Sequence, residues 1–456
     1  MIPVEEIITQ ATEKLKKRIT EFFEGEDLSV DAAEKGLKSV VENYICELMS
    51  SYYEKLDDAL LEDKAGRKAA GLVVERKKDR RQILSQFGTI TFYRSYYFRK
   101  SGGYCYPVDA VAGLEGYERI SFGVADELCE KARQFSYSKA ANIITFGAVS
   151  KQTVMNKIRM VEKNEEPQRL KLCVPVLHID ADEDHISLQD GTNTIAPLVS
   201  VYEGTDKQNK RHYCRNIVHY PFFEASPDDI WESVLESIEK RYDLTNTKIY
   251  VHGDGAAWIQ KAKEWLPNVT FVLDRYHYNK YKKKVLACLD AKKRGNYSSS
   301  IQAAVQKKDE EKLIQIWKDL LAENPDREEH LSDAFLYILN NLDAIAVYGE
   351  DSEARNGGAT EPHVSHVLSE RLSMKPLGWS RKTLRHLVPF LGTGTFQLKK
   401  NKPEVLQIVR EKAETARPSR RLKPKYTLGL ANPDTTAELP AMEYKVTELF
   451  KLFKSL

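Results

Sequence analysis

The sequence predicts an α/β protein. Its core is a ribonuclease-H-like mixed sheet with an all-helical insertion, and a mainly helical DNA-binding region with a small β-hairpin precedes it. Three observations support this. Residues 172–274 give three strands, a helix, a strand, a helix and a strand, which is the ribonuclease-H-like order. Helical periodicity replaces strands from residue 280 to about 347. Carboxylates stand on the first strand and just after the fourth.

Composition narrows the class of protein. A chain of 456 residues is long enough for more than one domain. Lys and Arg (69) nearly balance Asp and Glu (67), so a site for a polyanion has to come from local clustering. The six cysteines form no CxxC pair, which argues against a zinc ribbon or disulfide framework and favours a reduced, cytoplasmic protein. Neither a signal peptide nor a membrane-spanning run is expected.

Periodicity and breaks in composition divide the chain into six predicted segments. These are helices for packing or dimerisation (1–60), a DNA-binding region with a β-hairpin and a helix-turn-helix (61–170), the first part of the core (171–278), the helical insertion (279–355), the last acidic helix of the core (356–395), and a basic tail with a C-terminal helix (396–456).

The core elements follow from runs of strand formers and amphipathic stretches. The strands are expected at 174–182, 185–189, either 196–202 or 215–223, 248–252 and 269–273, and the helices at 228–241 and 256–265.

The predicted hairpin pairs residues 82–86 with 89–98 and turns at Gly88. Basic residues, including Arg94, alternate there with tyrosines. Such interleaving suits a nucleic-acid face, and it suits an amphipathic edge strand equally well.

A helix-turn-helix is predicted from a helix at 138–145, a turn at 146–148, and a helix from residue 151 to about 162 with Ser150 as its N-cap. Any helical hairpin with a solvated face would give the same pattern. The polar and basic residues that lie off the apolar stripe, and would face DNA, are Lys151, Gln152, Asn156, Lys157 and Arg159.

Basic clusters continue toward the C-terminus. One contains Arg381, Lys382 and Arg385, and another contains Arg420 and Arg421. Because prolines interrupt the second cluster, it is expected to be extended or disordered, before a final amphipathic helix at 442–453.

Three distant acids are the candidate catalytic residues: Asp182 on the first strand, Asp254 after the fourth, and Glu361 on the helix after the insertion. In a ribonuclease-H-like sheet the first and fourth strands are neighbours, so these carboxylates would converge. Hard oxygen ligands suit Mg²⁺ or Mn²⁺, and two such ions would serve phosphoryl transfer. Asp180 competes with Asp182 for the first position, because residues two apart share one strand face.

Supporting roles fall to polar residues at the ends of the same strands. Asp274 and His277 close the fifth strand, and His277 could orient a phosphate or carry a proton. A structural hydrogen bond is the alternative, both for His277 and for His252. A zinc site of His178, His252 and His277 would follow no common zinc spacing.

Together these motifs resemble a known family. Residues 177–189 (LHIDADEDHISLQ), 250–258 (YVHGDGAAW), 273–277 (LDRYH) and 357–380 (GGATEPHVSHVLSERLSMKPLGWS) resemble the ISLre-type transposases of bacterial insertion sequences. That family was long catalogued as uncharacterised and is related to the Mutator-like transposases. The similarity covers nearly the whole chain.

The resemblance implies a DDE transposase that cuts the terminal inverted repeats of its element and joins them to target DNA. Its three acids fall on Asp182, Asp254 and Glu361, and the position of Asp180 is often Glu in the family. Asp274 and His277 match its C/D-x-x-H element, and Trp379 a closing aromatic motif. Pro362 departs from the expected glycine, which the first turn of a helix tolerates.

Further expectations also come from the resemblance. They are two Mg²⁺ or Mn²⁺ ions, double-stranded DNA as the partner, a homodimer or higher multimer on DNA, and a place at the bacterial nucleoid in the cytoplasm. Two other functions remain open: a catalytically retired DNA-binding protein derived from a transposase, and a ribonuclease-H-like nuclease that cuts without joining.

Overall fold

The protein is a mixed α/β chain, and a computed structural model describes its residues 4–25, 29–164, 170–209, 211–375 and 377–399. The described residues divide into two compact units, one before residue 128 and the other from residue 128 to residue 399. Within the described ranges we find no helix with the length and apolar character needed to cross a membrane. The basic cluster with Arg420 and Arg421 and the predicted helix at 442–453 lie outside these ranges.

The first unit begins with two helices, which confirms the helical structure predicted for residues 1–60. Ser29 caps the second one by accepting a hydrogen bond from the amide of Ala32. Buried Leu56 and Leu60 of this helix pack against Phe92. The elements are α1 (Val4–Phe23), α2 (Val30–Glu62), α3 (Lys64–Ala69), β1 (Leu72–Ser85), β2 (Gly88–Arg99), β3 (Tyr104–Cys105) and α4 (Pro107–Val111), and the boundary between the units falls within α5 (Phe122–Gln134).

The predicted hairpin is confirmed and is longer than expected, because β1 includes the basic run at 76–81. Strands β1 and β2 are antiparallel, and Ser85 pairs with Gly88 at the turn. Two register shifts interrupt the ladder, between Val74 and Arg76 and between Arg76 and Asp79. Carboxylates of α2 accept hydrogen bonds from backbone amides of β2, which protects that strand edge.

The second unit is built on a five-stranded sheet. Its strands are β6 (Val176–Ser187), β7 (Asn193–Tyr202), β10 (Val218–Pro221), β12 (Lys248–Gly253) and β13 (Val269–Leu273), in the order β10-β7-β6-β12-β13. Strand β7 is antiparallel to β6 and β10, whereas β12 is parallel to β6 and β13. The predicted adjacency of the first and fourth strands is confirmed, since β6 pairs with β12.

One strand prediction is wrong. Residues 185–189 do not form a separate second strand, because β6 continues through the acidic stretch to Ser187. The second strand is β7, and the third is β10. The sequence does not predict one continuous strand here, because carboxylates are normally depleted from strands.

Helices cover the sheet and form the insertion. Apolar side chains of the insertion, including Phe335 and Leu313, belong to one buried core with Leu177 and Val251 of the sheet. The helices are α8 (Pro227–Glu239), α9 (Ala257–Gln260), α10 (Ala262–Trp265), α11 (Arg275–Leu286), α12 (Ala291–Gln306), α13 (Glu310–Glu323), α14 (Glu328–Asn340) and α15 (Leu342–Glu350), with 3₁₀ turns at Pro325–Arg327 and Glu353–Asn356.

The chain then returns across the sheet as α16 (Thr360–Val364), a π-helical turn (Ser365–Ser369) and α17 (Glu370–Leu372), followed by α18 (Arg381–Leu391). The short strands of the unit pair among themselves and complete the architecture. They are β4 (Val161–Lys163) with β14 (Phe396–Leu398), β5 (Leu172–Cys173) with β11 (Tyr242–Asp243), and β8 (Thr205–Gln208) with β9 (Arg211–Cys214).

The predicted helical hairpin is present in this second unit as α6 (Tyr137–Thr145) and α7 (Lys151–Ile158). Ser150 caps α7 as predicted, by accepting a hydrogen bond from the amide of Thr153. The predicted end near residue 162 is wrong, because the chain leaves the helix after Ile158 and enters β4 at Val161.

Candidate active site

Three predicted acids lie on three elements that meet at one end of the sheet. Asp182 is on β6, Asp254 directly follows β12, and Glu361 is in the first turn of α16. The charges of Glu361 and Asp254 both act on Asp182, and so does that of His277. The sheet order therefore brings together side chains that are far apart in sequence.

Hydrogen bonding distinguishes Asp182 from its acidic neighbours on β6. Asp180 and Asp184 accept hydrogen bonds from the segment that carries Glu361, and Glu183 accepts one from the indole of Trp258 at 2.9 Å. Asp182 is only partly buried, and its described hydrogen bond comes from the adjacent backbone amide of its own strand, at 2.8 Å. It is the carboxylate of this stretch that tertiary contacts leave open to a ligand.

Asp180 anchors the residues just before Glu361. Its carboxylate accepts hydrogen bonds from the amides of Gly358 (3.1 Å) and Ala359 (2.8 Å) and from the hydroxyl of Tyr202 (3.0 Å). His363 lies 3.2 Å from the same carboxylate. Burial alone would raise the pKa of Asp180, but the hydrogen bond from His363 and nearby positive charge hold it below the usual value. Asp180 is thus a positioning residue.

Asp184 holds the other end of the same helical segment. Its carboxylate accepts hydrogen bonds from the hydroxyls of Ser369 (3.1 Å) and Ser373 (2.8 Å). Residues 180, 182 and 184 alternate with the pleat and share one strand face. The two outer acids fasten the segment from 358 to 373, while the middle one faces the site.

The turn at Asp254 is set by its neighbours. The Asp254 carboxylate accepts a hydrogen bond from the amide of Ala256 at 2.8 Å, and the hydroxyl of Tyr337 donates to the Asp254 carbonyl. Gly255 has φ +94°, a left-handed conformation that favours glycine, and a β-carbon there would lie 2.9 Å from Asn341. Helix α14 of the insertion therefore helps to fix this loop.

His277 lies beside the acids, as the prediction of a supporting role requires. Its Nδ1 is 3.4 Å from Asp274, and its Nε2 is 3.9 Å from Glu361. Burial lowers its pKa, but the hydrogen bond that its ring donates to Asp274 and the charges of Asp274, Asp182 and Asp254 outweigh burial and raise it overall. Asp274 also accepts a hydrogen bond from Thr360, so it connects α11 to the start of α16.

The pKa of Asp182 is changed by the acids that surround it. Burial, together with the charges of Glu361 and Asp254, raises the pKa of Asp182 to about 7. Hard oxygen donors with surplus negative charge fit a divalent cation in chemistry. No three His, Cys, Asp or Glu side chains in the described ranges lie close enough to hold one metal ion. The three acids therefore lie at one end of the sheet, but they are not close enough to one another to share a metal ion.

His252 is a structural residue beneath the site. It is fully buried, with Nε2 3.2 Å from Nδ1 of His178. The two rings lie under Gly357, where an added β-carbon would be 2.2 Å from His252. The alternative prediction of a structural hydrogen bond is confirmed for His252, since it has no solvent access through which to meet a substrate.

Trp379 fastens the end of the returning segment. Its indole donates to the carbonyl of Leu372 at 2.8 Å, and its backbone bridges to Leu188 beyond β6. The ring packs against Arg371 and Tyr137. These contacts support the sheet end without reaching the acids.

The prediction that Arg94 faces DNA is wrong. Arg94 is 4% exposed, and its guanidinium lies 2.6 Å from Asp109 and over the ring of Tyr106. It also donates to the carbonyl of Asp79. The arginine is part of a buried ion pair inside the first unit.

Arg94→Ala should lower the free energy of unfolding by about 3 kcal/mol, because the buried carboxylate of Asp109 loses its closest cation. Chemical denaturation would measure this, with the exposed Lys100→Ala as a control for loss of positive charge. Unchanged stability combined with weaker DNA binding would contradict the structural role.

The predicted DNA-reading residues of α7 differ in their surroundings. Lys151, Gln152 and Asn156 are exposed and Lys157 is half-buried. Arg159 is also half-buried, and its guanidinium donates to the hydroxyl of Thr383 at 2.9 Å.

The basic cluster of α18 is exposed at Arg381, Lys382 and Arg385. Two of its charges are already paired, since Glu224 lies 2.9 Å from Arg381 and 2.6 Å from Arg385. Lys382 is the exposed cation of this cluster that Glu224 does not bind.

Several residues of the site carried no signal in the sequence. Tyr202, Thr360 and His363 hold the carboxylates of Asp180 and Asp274, and Ser369 and Ser373 hold Asp184. His363 follows Glu361 by two positions, and this closeness to a predicted acid was the one local hint.

A family model described as an uncharacterised protein family, UPF0236, matches residues 24–397. The chain belongs to UPF0236. One curated relative from Caldanaerobacter subterraneus subsp. tengcongensis is 35% identical over 84% of this chain and 82% of its own length, and its name carries eleven locus designations. Another from that organism is 37% identical over 76% of this chain and 75% of its own length.

This UPF0236 protein is also similar, more distantly, to a protein of another organism and to one solved structure. A Streptococcus gallolyticus protein named for the vanSb 3′ region is 26% identical over 68% of this chain and 71% of its own length. A simian T-cell lymphotropic virus intasome in complex with the PP2A regulatory subunit B56 gamma covers 44% of this chain and 68% of the matched chain, at 11% identity and a TM-score of 0.14. A score this low carries no argument about the fold.

Proposed function

We propose that this UPF0236 protein is a DDE-type transposase of an insertion sequence, which cuts DNA at the ends of its element and joins them to target DNA. The observation that carries the proposal is the meeting of Asp182, Asp254 and Glu361 at one sheet end, with the pKa of Asp182 raised to about 7 by burial and by the charges of the other two. Surplus negative charge of this kind is a feature of catalytic sites.

The topology of the second unit supports a ribonuclease-H-like core. Three antiparallel strands followed by two strands parallel to the first, in the order β10-β7-β6-β12-β13, are what that fold requires. The helices between Leu273 and Glu361 then correspond to an insertion before the last acid.

Asp182, Asp254 and Glu361 would hold the divalent ions, Mg²⁺ or Mn²⁺. When bound, these ions activate the attacking oxygen and stabilise the leaving oxygen of a phosphoryl transfer. The protein's own contribution is to fix the carboxylates through Asp180, Asp184 and Tyr337. His277, whose pKa is raised above its usual value by the neighbouring carboxylates, lies between Asp274 and Glu361 and can orient or protonate a phosphate oxygen.

The distribution of relatives agrees with a mobile element. One curated relative bears eleven locus designations and a second bears four, all from one organism. A protein encoded at many places in one genome is what repeated transposition leaves behind. A nuclease with a housekeeping role is not expected to accumulate in this way.

Incubation of the protein with labelled duplex from the sequence that flanks its coding region, with Mg²⁺, tests the proposal. Joined products are expected. Cleavage without joining would support a ribonuclease-H-like nuclease instead, and a mobility shift without cleavage would support a retired DNA-binding protein. Gel filtration with and without the duplex tests the predicted multimer on DNA.

Asp254→Asn should abolish cleavage and leave end binding nearly intact, because phosphate contacts of Lys and Arg dominate affinity. The amide oxygen can still accept the hydrogen bond from Ala256, so the turn should survive. Asp243→Asn is the matched control, since Asp243 makes the same type of contact with Thr245. A variant at position 254 that still cleaves would remove Asp254 from the site.

A further inference from the structure

The solvent face of the β1–β2 hairpin carries hydrogen-bonding side chains on both strands. Arg80 pairs with Tyr93 and Gln82 with Thr91, whereas the alternate pairs, Arg81 with Phe92 and Ile83 with Ile90, are buried. Tyr93 is 46% exposed, and Gln82 donates to the hydroxyl of Thr91 at 3.2 Å. If this were only the solvent face of an amphipathic edge strand, charged residues alone would keep it soluble. The uncharged hydrogen-bonding side chains are therefore more than solubility requires.

Next to this face, the bulged part of β1 presents consecutive cations. Arg76 pairs with Tyr96 and Asp79 with Arg94, so the residues between them, Lys77 and Lys78, oppose a single residue of β2. Lys78 has φ 59°, in the left-handed region that lysine rarely adopts. Bulges re-aim side chains and increase strand twist. Both lysines are exposed as a result.

The charges of this surface are not neutralised by the fold. Asp79 is occupied by Arg76, at 3.1 Å, and by the hydroxyl of Tyr106. Among the described residues, no acidic side chain forms an ion pair with Lys77, Lys78 or Arg80. Three cations beside a polar, aromatic strand face therefore remain available to a polyanion.

We propose that the β1–β2 hairpin is a DNA-binding ribbon, which enters the major groove of a duplex with Arg80, Gln82, Thr91 and Tyr93 and holds the phosphates with Lys77 and Lys78. The major groove accommodates a two-stranded antiparallel ribbon, and Gln and Thr side chains contact base edges there. This inference rests on the proposed function, because it takes duplex DNA as the substrate. It replaces buried Arg94 with the residues that face solvent.

The test is fluorescence anisotropy of the full-length protein without added metal, on duplex from the flanking sequence, over a series of salt concentrations. The variant Lys77→Ala/Lys78→Ala/Arg80→Ala should lose at least about tenfold in affinity, and its salt slope should fall by about 2, one for each lysine that holds a phosphate. A matched control, Lys16→Ala/Lys35→Ala/Lys38→Ala, removes three exposed lysines of α1 and α2 and should bind like wild type. Thermal unfolding verifies that both variants are folded.

A second variant tests groove contact separately from charge. Gln82→Ala/Thr91→Ala should reduce the preference for the flanking duplex over an unrelated duplex of equal length, with the salt slope unchanged. If the Lys77→Ala/Lys78→Ala/Arg80→Ala variant keeps the wild-type affinity and salt slope, the ribbon proposal is wrong and the transposase proposal is unaffected. The same conclusion follows if this variant loses affinity for single-stranded DNA but not for the duplex. A wild-type protein that binds through the ribbon but neither cuts nor joins would overturn the transposase proposal alone.

Discussion

Asp182→Asn should abolish DNA cleavage and at the same time make the protein more stable. The ionised carboxylate is held against burial and against the charges of Glu361 and Asp254, so its pKa is raised to about 7. A neutral amide of the same shape removes that repulsion. We expect a gain of about 2 kcal/mol in the free energy of unfolding near pH 8, roughly half the value of the full pKa shift, because solvent screens a partly exposed group.

The gain should depend on pH in a definite direction. The folded protein holds the Asp182 proton more tightly than the unfolded chain, in which the pKa is near 3.8. Ionisation of Asp182 therefore costs stability above pH 7, and the cost disappears as the pH falls toward 4. The advantage of the Asn variant should be full above about pH 7 and small near pH 4.

Thermal and chemical unfolding across this pH range would measure the effect, with Asp333→Asn on the exposed face of α14 as a matched control. Added Mg²⁺ should raise the unfolding temperature of the wild type more than that of Asp182→Asn, since an ion bound to the folded state stabilises it. A variant less stable than wild type at high pH would show that Asp182 is a structural residue.

The strands at 174–182, 248–252 and 269–273 could be predicted because each depends on a local pattern, whereas residues 185–189 were not separable from the strand before them. Hydrophobic runs mark the strands, and an acid at a strand end marks the edge where a ligand binds. The insertion was equally visible, since its helical periodicity is continuous over residues 280–347.

The choice between Asp180 and Asp182 could not be made locally, because residues two apart on a strand face the same way. In the structure, the amides of Gly358 and Ala359 donate to Asp180, and they belong to a segment that follows the insertion. The prediction that Arg94 faces DNA is wrong for a similar reason. Its partner Asp109 belongs to a different element, so the burial of the pair is a tertiary property.

Asp180→Asn should have the opposite effect on stability from Asp182→Asn, although the two residues share a strand face and the chemical change is the same. The Asp180 carboxylate accepts from Gly358, Ala359 and Tyr202, and an amide would turn its NH₂ group toward one of these donors. Leaving buried groups without acceptors should lower the free energy of unfolding by about 3 kcal/mol.

The same substitution should weaken metal-dependent cleavage by about 10- to 100-fold, because Asp180 fixes the backbone two and three residues before Glu361. At a temperature where the variant is fully folded, the loss should appear as a higher Mg²⁺ requirement and a smaller Mg²⁺-dependent rise in unfolding temperature. A purely structural role would lower stability and leave the Mg²⁺ requirement of the folded protein unchanged. Since the position of Glu361 depends on the Asp180 contacts, the Mg²⁺ titration separates positioning from folding.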